Sequence, residues 1–293
     1  MDNKYGALDA IRVTVLMEDT AGHNTELLSQ HGISFLIESW SESAMNTVLF
    51  DTGQSAAPLL HNMKILGKDP ADIDVIFLSH CHSDHTGGLI EVLKTLGRSS
   101  VPVVAHPDIF RSCFATKPVI ELHGMRTDCN PESIREAGGS LILTEDPLPL
   151  MPGALSTGDI KKRTAFEKKP TLSAMTVKDG KLVQDQMEDD TSLVFIVGEE
   201  LVIISGCSHA GIVSIAEAAI KLTGIDNIAA IIGGFHLVNA DDERIGKTIE
   251  DLSVMKAAEI YTGHCTGFKA EAKMYNDLGK RFHKMHTGMV INI

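Results

Sequence analysis

The sequence predicts a mixed α/β fold, with buried strands and amphipathic helices arranged in two or four layers. Short β-branched runs recur along the chain, and stretches with apolar residues at helical spacing lie between them. No low-complexity linker separates the two halves, so residues 1–293 read as a single domain with a loop-rich insert at about 110–190. The chain has 293 residues, 43% of them hydrophobic and 22% charged, an ordinary globular composition long enough for a sizeable core.

The N-terminal third is strand-rich. Residues 11–18, 33–40 and 47–50 are short apolar runs separated by Gly, Asn and Ser, and Asp51-Thr52-Gly53 closes the third in a turn. A helix follows over residues 56–66, with Leu59, Leu60, Met63 and Leu66 on one face and Gly67 as its stop. Residues 75–78 form a continuous apolar strand. Leu89, Ile90, Leu93 and Leu96 then mark a helix ending at Gly97, and residues 101–105 a further strand. The middle, about 110–190, is broken by Pro118, Pro131, Pro147, Pro149, Pro152 and Pro170, and reads as strands joined by long loops of the kind that often cover a substrate. Regularity then returns. Residues 193–197 and 201–205 read as a hairpin, 212–222 as a helix, 228–232 as a buried strand, 244–257 as a helix and 259–262 as a short strand.

Lys and Arg number 26 against 39 Asp and Glu, a formal net charge of −13 that argues against nucleic acid or an anionic membrane as partner. The same charge is a background that bound divalent cations would partly offset. No targeting segment is legible, and the longest run without a charged residue, 201–216, contains Gly, Ser, Cys and His and is no membrane span. Five cysteines without CxxC spacing exclude a disulfide framework and point to a reducing cytoplasm. A small-molecule substrate is expected, and a homo-oligomer is compatible with the sequence.

Thirteen histidines stand out, and several fall at strand ends. Four buried-looking strands run into Ser79-His80-Cys81-His82-Ser83-Asp84-His85, Gly206-Cys207-Ser208-His209, Gly233-Gly234-Phe235-His236 and Gly263-His264-Cys265-Thr266-Gly267. The carboxyl ends of strands are where sites assemble in helix-covered sheets. On an extended segment His80 and His82 point to one side with Asp84 continuing the alternation, while His85 points the other way. One loop thus offers two nitrogens to one metal and a carboxylate plus a nitrogen to its neighbour, a donor set that suits Zn²⁺, Fe or Mn²⁺. His264 and His209 are further candidate ligands. Cys207 is either a thiolate ligand or a small apolar residue at a strand end. His236 is a ligand, a proton donor or an orienting group. Cys81 and Cys265 read as fillers, and His31 and His123 as solvated or locally bonded. Asp51 either orients a metal-bound imidazole or forms an Asx turn with Gly53. Asp189-Asp190 reads as a polar turn, with Asp190 a lesser candidate for the metals.

The stretch from Leu78 to Leu89 resembles the HxHxDH signature of the metallo-β-lactamase superfamily, and Leu49-Phe50-Asp51-Thr52-Gly53 resembles the strand and turn before it. The resemblance covers nearly the whole chain and implies a four-layer αββα sandwich. Around His31–Glu38, Gly206–Ile212, Gly233–Leu237 and Gly263–Gly267 it narrows to a branch commonly described as metal-dependent hydrolases, some of them named 7,8-dihydropterin-6-methyl-4-(β-D-ribofuranosyl)-aminobenzene-5′-phosphate synthases. Two departures stand against the family pattern. Asp189-Asp190-Thr191 replaces the usual Gly-His-Thr, and Gly206-Cys207 replaces the usual Gly-Asp, so that Cys207 or His209 must stand in for the bridging carboxylate.

The leading expectation is metal-assisted hydrolysis of an ester, lactone or phosphoester. Two divalent ions, Zn²⁺ first and Fe or Mn²⁺ next, would lower the pKa of a shared water from about 15.7 toward roughly 7. His80, His82, Asp84, His85, Cys207, His209 and His264 would hold them. Asp84 and His236 would serve the chemistry, Asp51 would lie behind the ligands, and the substrate-binding residues are unassigned. The alternatives are a carbon–carbon condensing synthase (a transferase) of the dihydropterin branch, with Lys161, Lys162 or Arg163 meeting an anionic partner, and a non-catalytic metal-dependent sensor.

Overall fold

The computed structural model describes residues 4–42, 44–168 and 174–293; Pro170, one of the prolines expected to break the middle region, lies outside them. Two seven-stranded sheets face one another. The first runs, edge to edge, Val290–Asn292, Ala10–Met17, Ser34–Ser41, Ala44–Phe50, Val75–Phe77, Val101–Ala105 and Gly139–Leu143. The second runs Phe282–Lys284, Glu259–Gly263, Ile228–Gly234, Glu200–Ser205, Ser192–Val197, Ala154–Ser156 and Pro149–Met151.

Side-chain alternation along the strands sorts the residues into layers. In Ser34–Ser41, Phe35 and Ile37 turn inward between the sheets while Leu36 turns outward. In Glu200–Ser205, Val202 and Ile204 turn inward while Leu201 and Ile203 turn outward. The inner layer holds Phe35, Phe50 and Phe77 in a row, with ring centroids 5.8 and 5.4 Å apart. Each such side chain contributes about 1.5–3 kcal/mol by burial. The outer face of the first sheet is covered by helices Ala56–Ile65, Leu89–Leu96 and Pro131–Glu136 through Leu59, Met63, Leu93 and Ile134. The outer face of the second is covered by helices Ile212–Thr223, Asp242–Val254 and Phe268–Leu278 through Ile215, Ile249 and Met274. The result is the four-layer αββα sandwich.

The structure departs from the sequence reading at several points. The helix expected from residue 244 starts at Asp242, because the Asp241 side chain accepts from Arg244 N at 2.8 Å and the acidic first turn suits a helix N-terminus. Helix Phe268–Leu278 and the two last strands had no expected counterpart, because polar residues interrupt their short periodic signals. Residues 110–190 are not simply strands and loops. They add the helix Pro131–Glu136, send Gly139–Leu143 to the first sheet, and send Pro149–Met151 and Ala154–Ser156 to the second. What remains is a four-stranded sheet containing Phe114–Ala115, Glu121–Leu122, Met175–Lys178 and Lys181–Gln184. Among the described residues no helix is long and apolar enough to cross a membrane.

Candidate metal centre

Strands Val75–Phe77, Glu200–Ser205, Ile228–Gly234 and Glu259–Gly263 each belong to a parallel pair, and the loops at their carboxyl ends meet at one end of the sandwich. Close approach of these loops depends on glycine. A Cβ on Gly206 would run into Ser79 Oγ, and one on Gly234 into Cys265 Sγ. Asp51, Ser208, His236 and His264 all have positive φ (55, 57, 44 and 49°), so four non-glycine residues in the left-handed region cluster at this end. Such backbone costs on the order of 1–3 kcal/mol per residue and persists where surrounding structure over-determines it.

The first loop brings His80 Nε2 to 3.1 Å from His82 Nδ1. Two imidazole nitrogens on one tetrahedral cation, each about 2.0 Å from it, lie about 3.3 Å apart, so the pair already has the spacing of one edge of a ligand polyhedron. His209 closes this set. Its ring lies 4.9 Å from that of His80 and 4.8 Å from that of His82, and its buried Nε2 has no hydrogen-bond partner among the described residues. Burial, reinforced by the neighbouring imidazoles, holds His80 and His209 well below the usual imidazole range; burial likewise takes His82 down to about 3. All three are thus neutral, the form that binds a cation.

The second set gathers around Asp84. Its Oδ2 lies 3.5 Å from His85 Nε2 and 3.3 Å from His264 Nε2. The expected alternation of His85 away from Asp84 does not occur, because residues Ser83–Thr86 form a helical turn that turns both toward this set. Burial opposes the Asp84 charge, yet His85 and His264 draw its pKa well below the carboxylate range. Cys207 Sγ is 3.2 Å from His85 Nε2. Cys207 offers a donor within 4.8 Å of those of His80 and His209, and equally within 4.8 Å of those of His85 and His264.

Carboxylates and hydroxyls behind the donors set their orientation. Asp51 Oδ2 meets His85 Nδ1 at 2.6 Å and accepts from Ser79 Oγ at 2.7 Å, while the same hydroxyl lies 2.8 Å from His80 Nδ1. Asp51 thus takes the orienting position rather than only closing a turn with Gly53. Asp189 and Asp190 fasten the two loops from below. Asp189 Oδ2 accepts from Cys81 N, and Asp190 Oδ2 from Ala210 N, both at 2.8 Å. Burial raises Asp190 to about 7. Arg111 closes this layer with ion pairs to Asp185 at 2.8 Å and Asp189 at 2.6 Å.

Asp19 was not singled out in the sequence, and His31 was read as solvated or locally bonded. Asp19 Oδ1 meets His264 Nδ1 at 2.7 Å, and Asp19 Oδ2 meets His31 Nδ1 at 3.0 Å. His31 Nε2 in turn lies 3.4 Å from Asp84 Oδ2. Asp19 follows the carboxyl end of strand Ala10–Met17, so the strand-end rule that selected the histidines would have found it. His236, its ring 4.2 Å from that of His209, groups with Cys207 and Cys265 rather than with either main set.

A pocket of about 420 Å³ opens over these groups, lined also by Gln54, Glu121, Leu122, His123 and Val238 and by no Lys or Arg among the described residues. The basic run proposed to meet an anionic partner lies elsewhere. Arg163 donates to the carbonyls of Gln186 and Met187, and Lys161 and Lys162 line a separate cavity of about 630 Å³ that shares no lining residue with the first.

Two converging sets of side chains able to hold cations, at one end of an αββα sandwich, point to one fold family. A family model described as the metallo-beta-lactamase superfamily matches residues 34–218, and the chain belongs to that superfamily. Membership implies divalent cations, and the spacing of the donors fits them. The chain is 44% identical over 288 residues, 98% of its own length and 98% of the relative's, to the 7,8-dihydropterin-6-methyl-4-(beta-D-ribofuranosyl)-aminobenzene-5′-phosphate synthase of Methanocaldococcus jannaschii. It is 30% identical over 281 residues to an uncharacterised protein of the same organism, covering 96% of this chain and 100% of that one. Among solved structures, a metal-dependent hydrolase of the beta-lactamase superfamily matches with a TM-score of 0.79 at 24% identity, over 97% of this chain and 99% of that one. A metallo-beta-lactamase fold protein from Bacillus subtilis matches with a TM-score of 0.55 at 14% identity, over 97% and 100%. These structural matches establish the fold alone. The expectation of a hydrolase acting on an ester, lactone or phosphoester is overturned by the 44% identical relative, which is named as a synthase over essentially its whole length.

Proposed function

We propose that the chain is an enzyme that condenses a 7,8-dihydropterin, activated at its 6-methylene, with 4-(β-D-ribofuranosyl)aminobenzene 5′-phosphate. The observation that carries this reading is the 44% identity across 98% of both chains to the synthase of that name. The product in that name joins a pterin 6-methylene to an aminobenzene, and the chemistry we propose for it is displacement from a pterin methyl diphosphate. The aromatic amine attacks the methylene carbon, a C–N bond forms, the C–O bond to the diphosphate breaks, and the amine loses a proton. This replaces the carbon–carbon bond of the sequence reading, because the amine nitrogen is the nucleophile available on the aryl partner.

The pocket suits such a pair. Both substrates are anionic, yet no Lys or Arg lines it. Divalent cations held by His80, His82 and His209 and by Asp84, His85 and His264, with Cys207 in reach of both sets, would supply the positive charge that the phosphate oxygens need. Leu122 and Val238, apolar and 66% and 54% exposed, offer faces for flat rings beside the donors. His236, which lines the pocket, would take up the amine proton on a ring nitrogen. His31, whose ring donates to Asp19 and whose pKa that hydrogen bond raises, would be a contact for an incoming phosphate.

The test offers reconstituted protein the pterin methyl diphosphate and the aryl ribosyl phosphate together and follows products by mass spectrometry. A product containing both ring systems is expected. A pterin alcohol as the sole product would refute the reading.

A further inference from the structure

We infer that Cys207 is a bridging ligand, its sulfur shared as a thiolate by the two cations, and that this sulfur biases the centre toward Zn²⁺, Fe²⁺ or Co²⁺ over Mg²⁺ or Mn²⁺. The inference rests on the reading that the two donor sets hold cations, and it deepens that reading by naming what joins them.

Geometry carries the argument. Cations of a two-metal site lie about 3.5–4 Å apart, so a shared atom must contact donors from both coordination shells. Cys207 does so and is the residue common to the His80–His209 and His85–His264 groups. On a tetrahedral cation with a metal–sulfur distance of about 2.3 Å and a metal–nitrogen distance of about 2.0 Å, sulfur and nitrogen lie about 3.5 Å apart. Cys207 Sγ and His85 Nε2 are 3.2 Å apart, near that edge length. The other thiol nearby does not qualify. Cys265 groups with Cys207 and His236 but with neither pair of imidazoles, and its sulfur points to the Cys207 carbonyl at 3.7 Å. The Cys207 side chain is also fixed in place: the residue is 2% exposed, and the Gly206 beside it packs so closely on Ser79 that a Cβ would not fit. Thiolate donors favour softer cations, whereas carboxylate and water suit Mg²⁺ and Mn²⁺, and this is the source of the metal preference.

The experiment uses full-length protein and needs no turnover. Elemental analysis after reconstitution with Zn²⁺ reports whether the sets hold cations at all. X-ray absorption at the metal edge then reports the ligands, and a sulfur shell at about 2.3 Å is expected in the wild type. The Co²⁺ protein should show a near-ultraviolet thiolate-to-metal charge-transfer band that Cys207→Ser loses and Cys265→Ser keeps. Cys207→Asp should keep both cations, lack the band, and lower the preference for Zn²⁺ over Mn²⁺ by roughly tenfold or more. Two cations with only nitrogen and oxygen neighbours would overturn the bridge and leave the cation reading standing. A band that survives in Cys207→Ser would overturn it likewise. Protein that retains no cation would end both readings, and elemental analysis distinguishes that result. Even if a variant fails to fold, the wild-type absorption measurement decides the matter: a sulfur neighbour together with a metal–metal distance of about 3.5–4 Å is expected for a shared thiolate, and sulfur without a second metal at that distance would overturn the bridge.

Discussion

One loop, from His80 to His85, supplies side chains to both candidate donor sets, whereas the C-terminal half of the site is assembled from the ends of three strands. Cys207 and His209 follow Glu200–Ser205, His236 follows Ile228–Gly234, and His264 follows Glu259–Gly263. The first half is local. Its geometry needs a short helical turn and the Asp51 and Ser79 contacts behind it. The second half depends on parallel strands holding register, with Gly233 opposite Thr262 and Gly234 opposite Gly263, and on backbones close enough for Gly234 N to reach Gly206 O at 2.8 Å. A local motif concentrates function in a few side chains, and a distributed one places it on the packing of a sheet.

That contrast orders the expected effects. Substitution in the loop should be the most damaging. His82→Ala and Asp84→Asn should abolish condensation while leaving circular dichroism unchanged, since the donors face the pocket and contribute little to either core. Substantial activity in either variant would mean that the loop is not the common element. Next comes Gly206→Ala, which should damage the distributed half through the backbone alone. Its methyl group would displace Ser79 and cost about 1–3 kcal/mol by overpacking. Metal content and thermal stability should fall together in this variant. Normal values for both would show that the strand ends are looser than the structure has them.

Asp19→Asn should weaken metal binding by about 10–100-fold without removing a donor, because it disturbs the partner of His264 Nδ1. Competition with a chromophoric chelator would read this. An unchanged affinity would leave Asp19 a purely structural role. The effect most remote from turnover concerns pH. Burial raises Asp190 from 3.8 to about 7, so the folded state holds the proton more tightly than the unfolded state. Its contribution is fully present below about 3.8 and is lost as pH rises through about 7. Metal-free wild type should therefore lose stability against Asp190→Asn over that window, by on the order of 1–4 kcal/mol. The amide keeps an acceptor for Ala210 N, and parallel denaturation curves at all pH values would contradict the assignment.

Legibility in the sequence followed the same division. The strands Val75–Phe77 and Glu200–Ser205, with the donors that follow them, were readable because buried parallel strands are continuous apolar runs and the ligand types stand at their ends. Asp19 was missed because it lies in no motif, and His31 was read as solvated because nothing local shows its partner; the first sheet brings both beside His264, a residue hundreds of positions away in sequence. The alternation of Asp84 and His85 was misread because period-two reasoning fails where four residues form a helical turn. Residues 110–190 were opaque because two- and three-residue strands carry too little periodicity to be seen. The reaction was misjudged for a different reason: superfamily motifs specify cation binding and not what the cations act on.

The central claim, condensation rather than hydrolysis, is tested most directly by measuring diphosphate release from the pterin methyl diphosphate with and without the aryl ribosyl phosphate. Release that depends on the aryl amine, matching conjugated product mole for mole, is the predicted result. Release at the same rate in water alone would contradict it.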